Sequence, residues 1–257
     1  MVLGGAFNRG VFGLPRAYIR GLFETGAMEQ ADGVAFHPYE LNPKRTAALY
    51  RSFRSITARY GFEDRIWVNE VGYPTGGRYP TATTDKKFPE FVAKTFIKLA
   101  AEGSRTIFWY QLFDPENRNP KNSENFFGLV RSRSDVSSKG AEAFRLCALH
   151  IAGTVYRPDL PLRIKLPASL QAYYFEKPDG GGTLALWKDG RPMRLALDLP
   201  GDARAMHDPV TGIASAIPAE TAIDIGRMPV FITWEAVAAS SGAASSGAPV
   251  LQRGGKR

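Results

Sequence analysis

An α/β architecture built on a parallel sheet and followed by an all-β module is the fold class this sequence predicts. Three observations carry that expectation. Up to about residue 152, short apolar runs alternate with longer amphipathic ones, unit after unit, as strands and helices do in a parallel sheet. The apolar runs are rich in Ile, Val, Phe and Trp without strict alternation, the composition of strands buried on both faces. After Gly153 the helical period stops, and short β-prone runs separated by turn clusters replace it.

The elements follow in order. Residues 1–5 (MVLGG) read as a strand end. Residues 15–30 (PRAYIRGLFETGAMEQ) have helical spacing, with Pro15 at the first position, where a missing N–H is harmless. ADGVAFHPY is a strand ending at His37, and NPKRTAALYRSFRSITARYG is a helix closed by Gly61. RIWVNEVGYP is the third strand, TTDKKFPEFVAKTFIKLAAEG a helix closed by Gly103, and RTIFWYQLFD the fourth strand. A loop rich in Asn, Pro and Ser leads to a helix from about Ser138 to Ala152. Beyond it, the turn clusters Pro178-Asp179-Gly180-Gly181-Gly182 and Lys188-Asp189-Gly190 separate strands of an antiparallel module. The expected divisions are 1–152, 153–236 and a disordered Ala/Ser/Gly-rich tail at 237–257.

Composition excludes several classes. With 44% hydrophobic and 23% charged residues, a soluble globular protein is the default among 257-residue chains. No apolar run reaches the ~18–20 residues of a membrane helix. The N-terminal stretch lacks a basic region ahead of an apolar core, so it does not read as a signal peptide. The net charge is +8, but Arg and Lys are scattered except in the final RGGKR, whereas a nucleic-acid footprint is clustered. The lone Cys147 lies in a helical apolar pattern and reads as a buried small hydrophobe. His37, His150 and His207 are far apart, with no metal-ligand spacing, so neither metal nor cofactor is expected.

Active sites of parallel sheets lie at the C-terminal strand ends. Here those ends carry His37-Pro38-Tyr39, then Asn69-Glu70 with Tyr73 beyond, then Trp109-Tyr110-Gln111 and Asp114. One sheet would bring them together. A carboxylate among Tyr, His and Trp suits glycoside hydrolysis, which needs a carboxylate against an oxocarbenium-like carbon. A nearby Tyr hydroxyl favours the charged carboxylate, and aromatic rings offer platforms for the apolar faces of sugars.

The order D-x-V-A-x-H-P-Y, then W-V-N-E-V-G-Y-P-T, then I-F-W-Y-Q-L-x-D resembles the second half of a clan A glycoside hydrolase. The type is that of β-xylosidase and α-L-iduronidase with their bacterial polysaccharide-hydrolase relatives. The resemblance implies a partial (β/α)8 barrel, strands five to eight, followed by a β-sandwich. It implies a retaining mechanism with Glu70 as nucleophile, in an E-x-G-x-P context. It further implies that His37 and Tyr39 line the sugar subsite and that Trp109 is the platform, with Tyr110 taking that role if the register moves by one. Asn69 and Tyr73 complete the expected substrate-binding set.

The departure is the acid/base glutamate, which in that family follows an Asn at the end of strand four. No Asn-Glu precedes Asn69-Glu70 here, so the lone chain is expected to lack its general acid, worth about 10²–10⁴-fold. Glu40, Asp114 and Glu116 lie beyond strand ends, and Asp114 is the best stand-in, with loop capping as its competing role. Four parallel strands leave two open edges, so a missing N-terminal half-barrel or self-association is expected. A non-catalytic carbohydrate-binding or assembly protein is the alternative. Phosphate binding rests only on Gly76-Gly77, without a P-loop pattern. Export to the periplasm or medium fits a glycan-active enzyme, but no residue fixes localisation or sugar identity.

Overall fold

The computed structural model describes residues 1–8, 13–78, 82–159, 166–197, 204–217 and 222–235. The tail expected at 237–257 lies outside the described residues.

The first part alternates β1 (Leu3–Asn8), α1 (Arg16–Glu24), β2 (Gly33–His37), α2 (Pro43–Thr57), β3 (Ile66–Val71), α3 (Phe88–Ala101), β4 (Thr106–Trp109) and α4 (Ala141–His150). The strands form one sheet in the order β1-β2-β3-β4, every pair parallel. All four C-terminal ends therefore lie along one edge. Among the described residues the sheet ends at β1 and β4 and does not close.

Local chemistry sets the helix limits. Asn42 caps α2 by accepting from the Arg45 N–H at 3.1 Å, and Pro43 occupies the first turn. The helix expected over 15–30 stops at Glu24 instead, because Gly26 turns into the left-handed region at φ 77° and ends it.

Phe7, Ile19, Val34, Phe36, Tyr50, Phe53, Val68 and Leu99 fill the layer between the sheet and its helices. The expectation of strands buried on both faces holds for β2, where Gly33–Phe36 are all buried. It fails farther along the sheet. On β3, Ile66, Val68 and Val71 are buried while Trp67, Asn69 and Glu70 are half-buried. Trp67 stacks on Phe108 of β4 at 6.4 Å between ring centroids, and Phe108 is 53% exposed. This second face is apolar, and the described residues leave it partly uncovered.

The second part comprises β5 (Val155–Arg157), β6 (Leu170–Glu176), β7 (Gly182–Lys188), β8 (Met193–Ala196), β9 (Arg204–His207), β10 (Ala214–Ala216), β11 (Ala222–Ile225) and β12 (Val230–Trp234). Six of these make an antiparallel sheet in the order β10-β9-β12-β7-β6-β5, and β11 pairs with β8. Alternation along β7 distributes the core as strand periodicity requires. Leu184 and Leu186 pack with Ile223, Ile225 and Ile232 toward the β8–β11 pair. Ala185 and Trp187 pack with Phe175, Phe231 and the helix residues Val92, Ile97, Leu146 and Cys147. One apolar cluster thus joins α3 and α4 to the six-stranded sheet. Cys147 is 2% exposed within it, and burial pushes its thiol pKa well up, so it is the inert small hydrophobe that its sequence context indicates. No described helix is long and apolar enough to cross a membrane.

Candidate functional site

β2 and β3 each deliver a polar side chain at the C-terminal edge. The Tyr39 hydroxyl donates to Glu70 Oε1 at 2.6 Å, and His37 Nδ1 lies 3.3 Å from Glu70 Oε2. The two strands that hold these residues pair in register at Val34–Ile66 and Ala35–Trp67, which fixes the approach. Glu70 does not follow simple alternation. The β3–β4 register shifts between Val68 and Val71, and Asn69 and Glu70 are both half-buried as a result. Such an irregularity re-aims a side chain, and here it is the acid that is re-aimed.

Tyr39 is held protonated. Burial raises its pKa first, and the hydrogen bond and charge of Glu70 raise it further, with Glu124 adding to the effect. His37 is 18% exposed at its side chain, and its Nε2 has no hydrogen-bond partner among the described residues. The same is true of Asn69 Oδ1. Both are polar atoms shut away from water, one on the ring that contacts Glu70 and one on the residue before Glu70 in the chain.

The segment after β4 closes the other side. Tyr110 donates its backbone N–H to the Val71 carbonyl at 2.9 Å, so it sits level with the end of β3. The peptide joining Tyr110 to Gln111 is cis. The Tyr110 carbonyl lies where a Cβ on Gly72 would be, so only glycine fits after Val71. The Tyr110 ring meets Phe127 edge-on at 5.4 Å, and the Tyr39 ring meets the same Phe127 edge-on at 6.1 Å. Phe127 is a buried wedge between the two tyrosines. The Tyr110 hydroxyl pKa is raised by burial and by the carboxylates of Glu124 and Glu70.

The structure thus brings His37, Tyr39, Asn69, Glu70 and Tyr110 to one edge and places two other candidates elsewhere. Trp109 lies in the core, stacked on Phe96 at 6.1 Å, against Phe88 and Tyr73, with its indole N–H donating to the Phe127 carbonyl at 3.2 Å. Successive strand residues face opposite sides, so the residue one place on, Tyr110, is the ring that reaches the site. Tyr73 is 1% exposed behind the sheet, where its oxygen lies 2.6 Å from Thr46 Oγ1 and accepts from Thr95 Oγ1 at 3.3 Å. Burial pushes its pKa up to about 12.

The three acids considered as proton donors have other employment. Asp114 is 2% exposed; it accepts from the Lys139 ammonium at 2.7 Å and from the Gly128 N–H at 2.7 Å. Lys139 also donates to Thr75 Oγ1 and the Phe126 carbonyl, so this buried pair ties the loop after β4 to the loop after β3. Glu40 pairs with Arg45 at 3.3 Å, and Glu116 accepts from the Ser134 N–H and hydroxyl. Sequence reasoning set Glu124 aside with the Ser123-Glu124-Asn125 stretch, because that polar loop has no period to place it. Phe127 was legible in principle, as half of an apolar pair stranded in a polar loop. Among the described residues no cluster of three His, Cys, Asp or Glu could hold a metal ion.

No protein-family model matches this sequence, and no curated protein matches it. Solved structures do share its fold. A family 39 glycoside hydrolase from the gut symbiont Bacteroides cellulosilyticus WH2 aligns with a TM-score of 0.66 at 18% identity, over 85% of this chain and 47% of that one. A GH51 arabinofuranosidase from Xanthomonas axonopodis pv. citri aligns at 0.55 and 11% identity, over 89% and 57%. A GH39 β-xylosidase from Caulobacter crescentus aligns at 0.54 and 10% identity, over 88% and 57%. The chain spans about half the length of these structures. At these identities the likeness is one of fold: a mixed α/β chain that shares its fold with these glycoside hydrolases.

Proposed function

We propose that this chain is the nucleophile-bearing half of a retaining O-glycoside hydrolase acting on an oligo- or polysaccharide. In this reading β1 to β4 are strands five to eight of a (β/α)8 barrel, residues 1–152 form its half-domain, and residues 153–236 are an accessory β-sandwich. One observation supports the reading above all others. Glu70 stands at the C-terminal edge of a parallel sheet, held by a 2.6 Å hydrogen bond from Tyr39, with His37 3.3 Å away. The shared fold of glycoside hydrolases agrees with it.

The chemistry follows from that arrangement. A Glu70 oxygen attacks the anomeric carbon, and the bond from that carbon to the leaving oxygen breaks as the oxygen takes a proton from a general acid. Water then attacks the glycosyl-enzyme, and the same acid, now a base, takes its proton. Tyr39 orients the carboxylate through its hydrogen bond. His37 lies against the second Glu70 oxygen, and Tyr110 is the aromatic wall. We assign the proton donor to a further half of the fold, whether continuous with this chain or a separate one. A retaining pair stands ~5–5.5 Å apart, and Glu40, Asp114 and Glu116 are each engaged in loop contacts.

Activated 2-fluoro glycosides test the reading, because they need the nucleophile and little acid help. Intact-mass spectrometry should show one glycosyl adduct, mapped to Glu70 and absent in Glu70→Gln. A folded sample that binds sugars but takes no label across a panel of such probes would make this a carbohydrate-binding protein instead.

A further inference from the structure

We infer that Lys98 is a nucleophilic amine, a site at which this protein takes up small aldehydes as imines. The inference stands apart from the glycosidase reading, because it concerns the joint between α3 and the six-stranded sheet. The Lys98 ammonium donates to the Tyr173 hydroxyl of β6 at 2.8 Å. It lies 5.1 Å from the centre of the Tyr173 ring and 5.2 Å from that of Trp187 on β7. Those two rings are themselves stacked, 5.1 Å apart and within 4° of parallel. Trp187 is buried, whereas Lys98 and Tyr173 are half-buried, so the amine rests on an aromatic wall without being sealed in.

The charges around it leave this amine short of a counter-ion. Lys94, one turn earlier on α3, faces the same Trp187 ring at 5.4 Å, so two ammonium groups share one platform. Like charges four residues apart on a helix repel. The neighbouring carboxylates are committed to other cations. Asp189 and Glu90 hold Lys94 at 2.9 and 2.8 Å, and Arg227 is a second partner of Glu90. Glu102, one turn farther along α3, holds Arg51 through both of its oxygens. Among the described residues no carboxylate pairs with Lys98, whose hydrogen bond goes to a hydroxyl. Burial pushes the pKa of that Tyr173 hydroxyl up to about 12, so it is neutral.

Desolvation and repulsion both favour the uncharged amine. Burial first, then Lys94, lowers the Lys98 pKa to about 8; Asp189 opposes the shift, Lys44 adds to it and Glu102 opposes it. The rings favour the charged form, but only by roughly threefold in the proton equilibrium for a cation–π contact at a partly exposed site. A desolvated lysine beside a second cation is the kind that attacks carbonyl compounds. The Lys98 lone pair forms a bond to the aldehyde carbon. The two amine hydrogens then leave with the carbonyl oxygen as water, and a carbon–nitrogen double bond remains.

Glycolaldehyde is the probe, trapped on the full chain by cyanoborohydride, and peptide mapping by mass spectrometry reads each lysine separately. Near pH 7.4 an amine of pKa about 8 to 9 is on the order of a hundredfold more deprotonated than an ordinary lysine, and its lower basicity gives back about tenfold. Lys98 should therefore be labelled about tenfold faster than the exposed Lys86 and Lys121. Its rate should reach half its maximum between about pH 8 and 9, against above about 10 for the other two. Lys98→Arg should remove the adduct. Asp189→Asn, a change at a side chain 63% exposed, removes an opposing charge and should move the Lys98 midpoint down. Labelling no faster than at Lys86, a midpoint above about pH 10, or a midpoint raised by Asp189→Asn would overturn the inference. Labelling of Lys98 is read independently of the 2-fluoro glycoside adduct on Glu70, so either reading can fail without the other.

Discussion

Glu70 draws its contacts from a different strand than its own, and that makes each of them separately testable. Tyr39 is a protonated donor at 2.6 Å. A hydrogen bond to a charged group is worth about 1.5–3 kcal/mol, or roughly 10–100-fold in rate if it is fully used in the transition state. Tyr39→Phe should therefore slow labelling of Glu70 by about that factor while leaving the far-UV spectrum unchanged. Single-turnover kinetics would show the effect, and an unchanged rate would remove Tyr39 from the site. At this scale the sequence reading put His37 at the end of β2 and Glu70 near the end of β3, where the strands run to His37 and Val71. It left Trp109 and Tyr110 as alternatives because β4 is only four residues long, Thr106–Trp109, and so short a run leaves the facing of its last residues undetermined.

Among the elements, the loop between β4 and α4 matters most. It has almost no regular structure, yet it carries Glu124, Phe127 and the anchor that holds them. That anchor is the Asp114–Lys139 pair, with side chains 0% and 1% exposed. Burial lowers the Lys139 pKa, and the Asp114 contact opposes that shift. Removing one partner leaves a buried charge alone, which costs about 3–5 kcal/mol. Asp114→Asn should lose that much stability in urea titration, and the double variant Asp114→Asn, Lys139→Met should regain most of it. The double variant is the informative one for function. If the pair serves to hold the loop, labelling of Glu70 should stay impaired after stability returns, because Lys139 also ties Thr75 to Phe126.

The whole molecule is organised around two unequal surfaces. One is the joint between α4 and the six-stranded sheet, where His150 and His207 lie with ring centroids 4.3 Å apart and His150 packs on Phe231. His150 Nε2 is buried without a partner among the described residues. Burial, then His207, with Lys177 and Arg145 nearby, lowers the His150 pKa from 6.5 to about 4. His207 shifts the same way, with burial as the first cause and Arg145 and Lys177 adding to it. Both rings are neutral in the fold, so the unfolded chain binds more protons. Stability is full above about pH 6.5 and should fall as pH drops toward about 4, a trend that melting curves at stepped pH would show and that His150→Phe should flatten. The second surface is the open face of the parallel sheet. Phe108, stacked on Trp67, is 53% exposed, and β1 and β4 are unpaired edges among the described residues. Such edges and apolar faces recruit other chains. The chain on its own should self-associate in light scattering, and Phe108→Lys should reduce it; a monodisperse monomer would count against this.

The sequence by itself determined the strand–helix order, the switch to an antiparallel module after Gly153, and the presence of one acid at a strand end among His and Tyr. Those features are local: periodicity, capping residues and turn clusters act within a few residues and need no knowledge of the rest. Only the tertiary structure decided that Trp109 packs among core rings, that Tyr73 is core, that Phe127 wedges between Tyr39 and Tyr110, and that Asp114 is sequestered by Lys139. Each of these depends on which side of a short strand a residue takes, or on where an aperiodic loop lands. Contacts between residues distant in the chain decide both: Lys139 with Asp114 across 25 positions, Phe127 between two tyrosines, and Gly72 beneath the Tyr110 carbonyl.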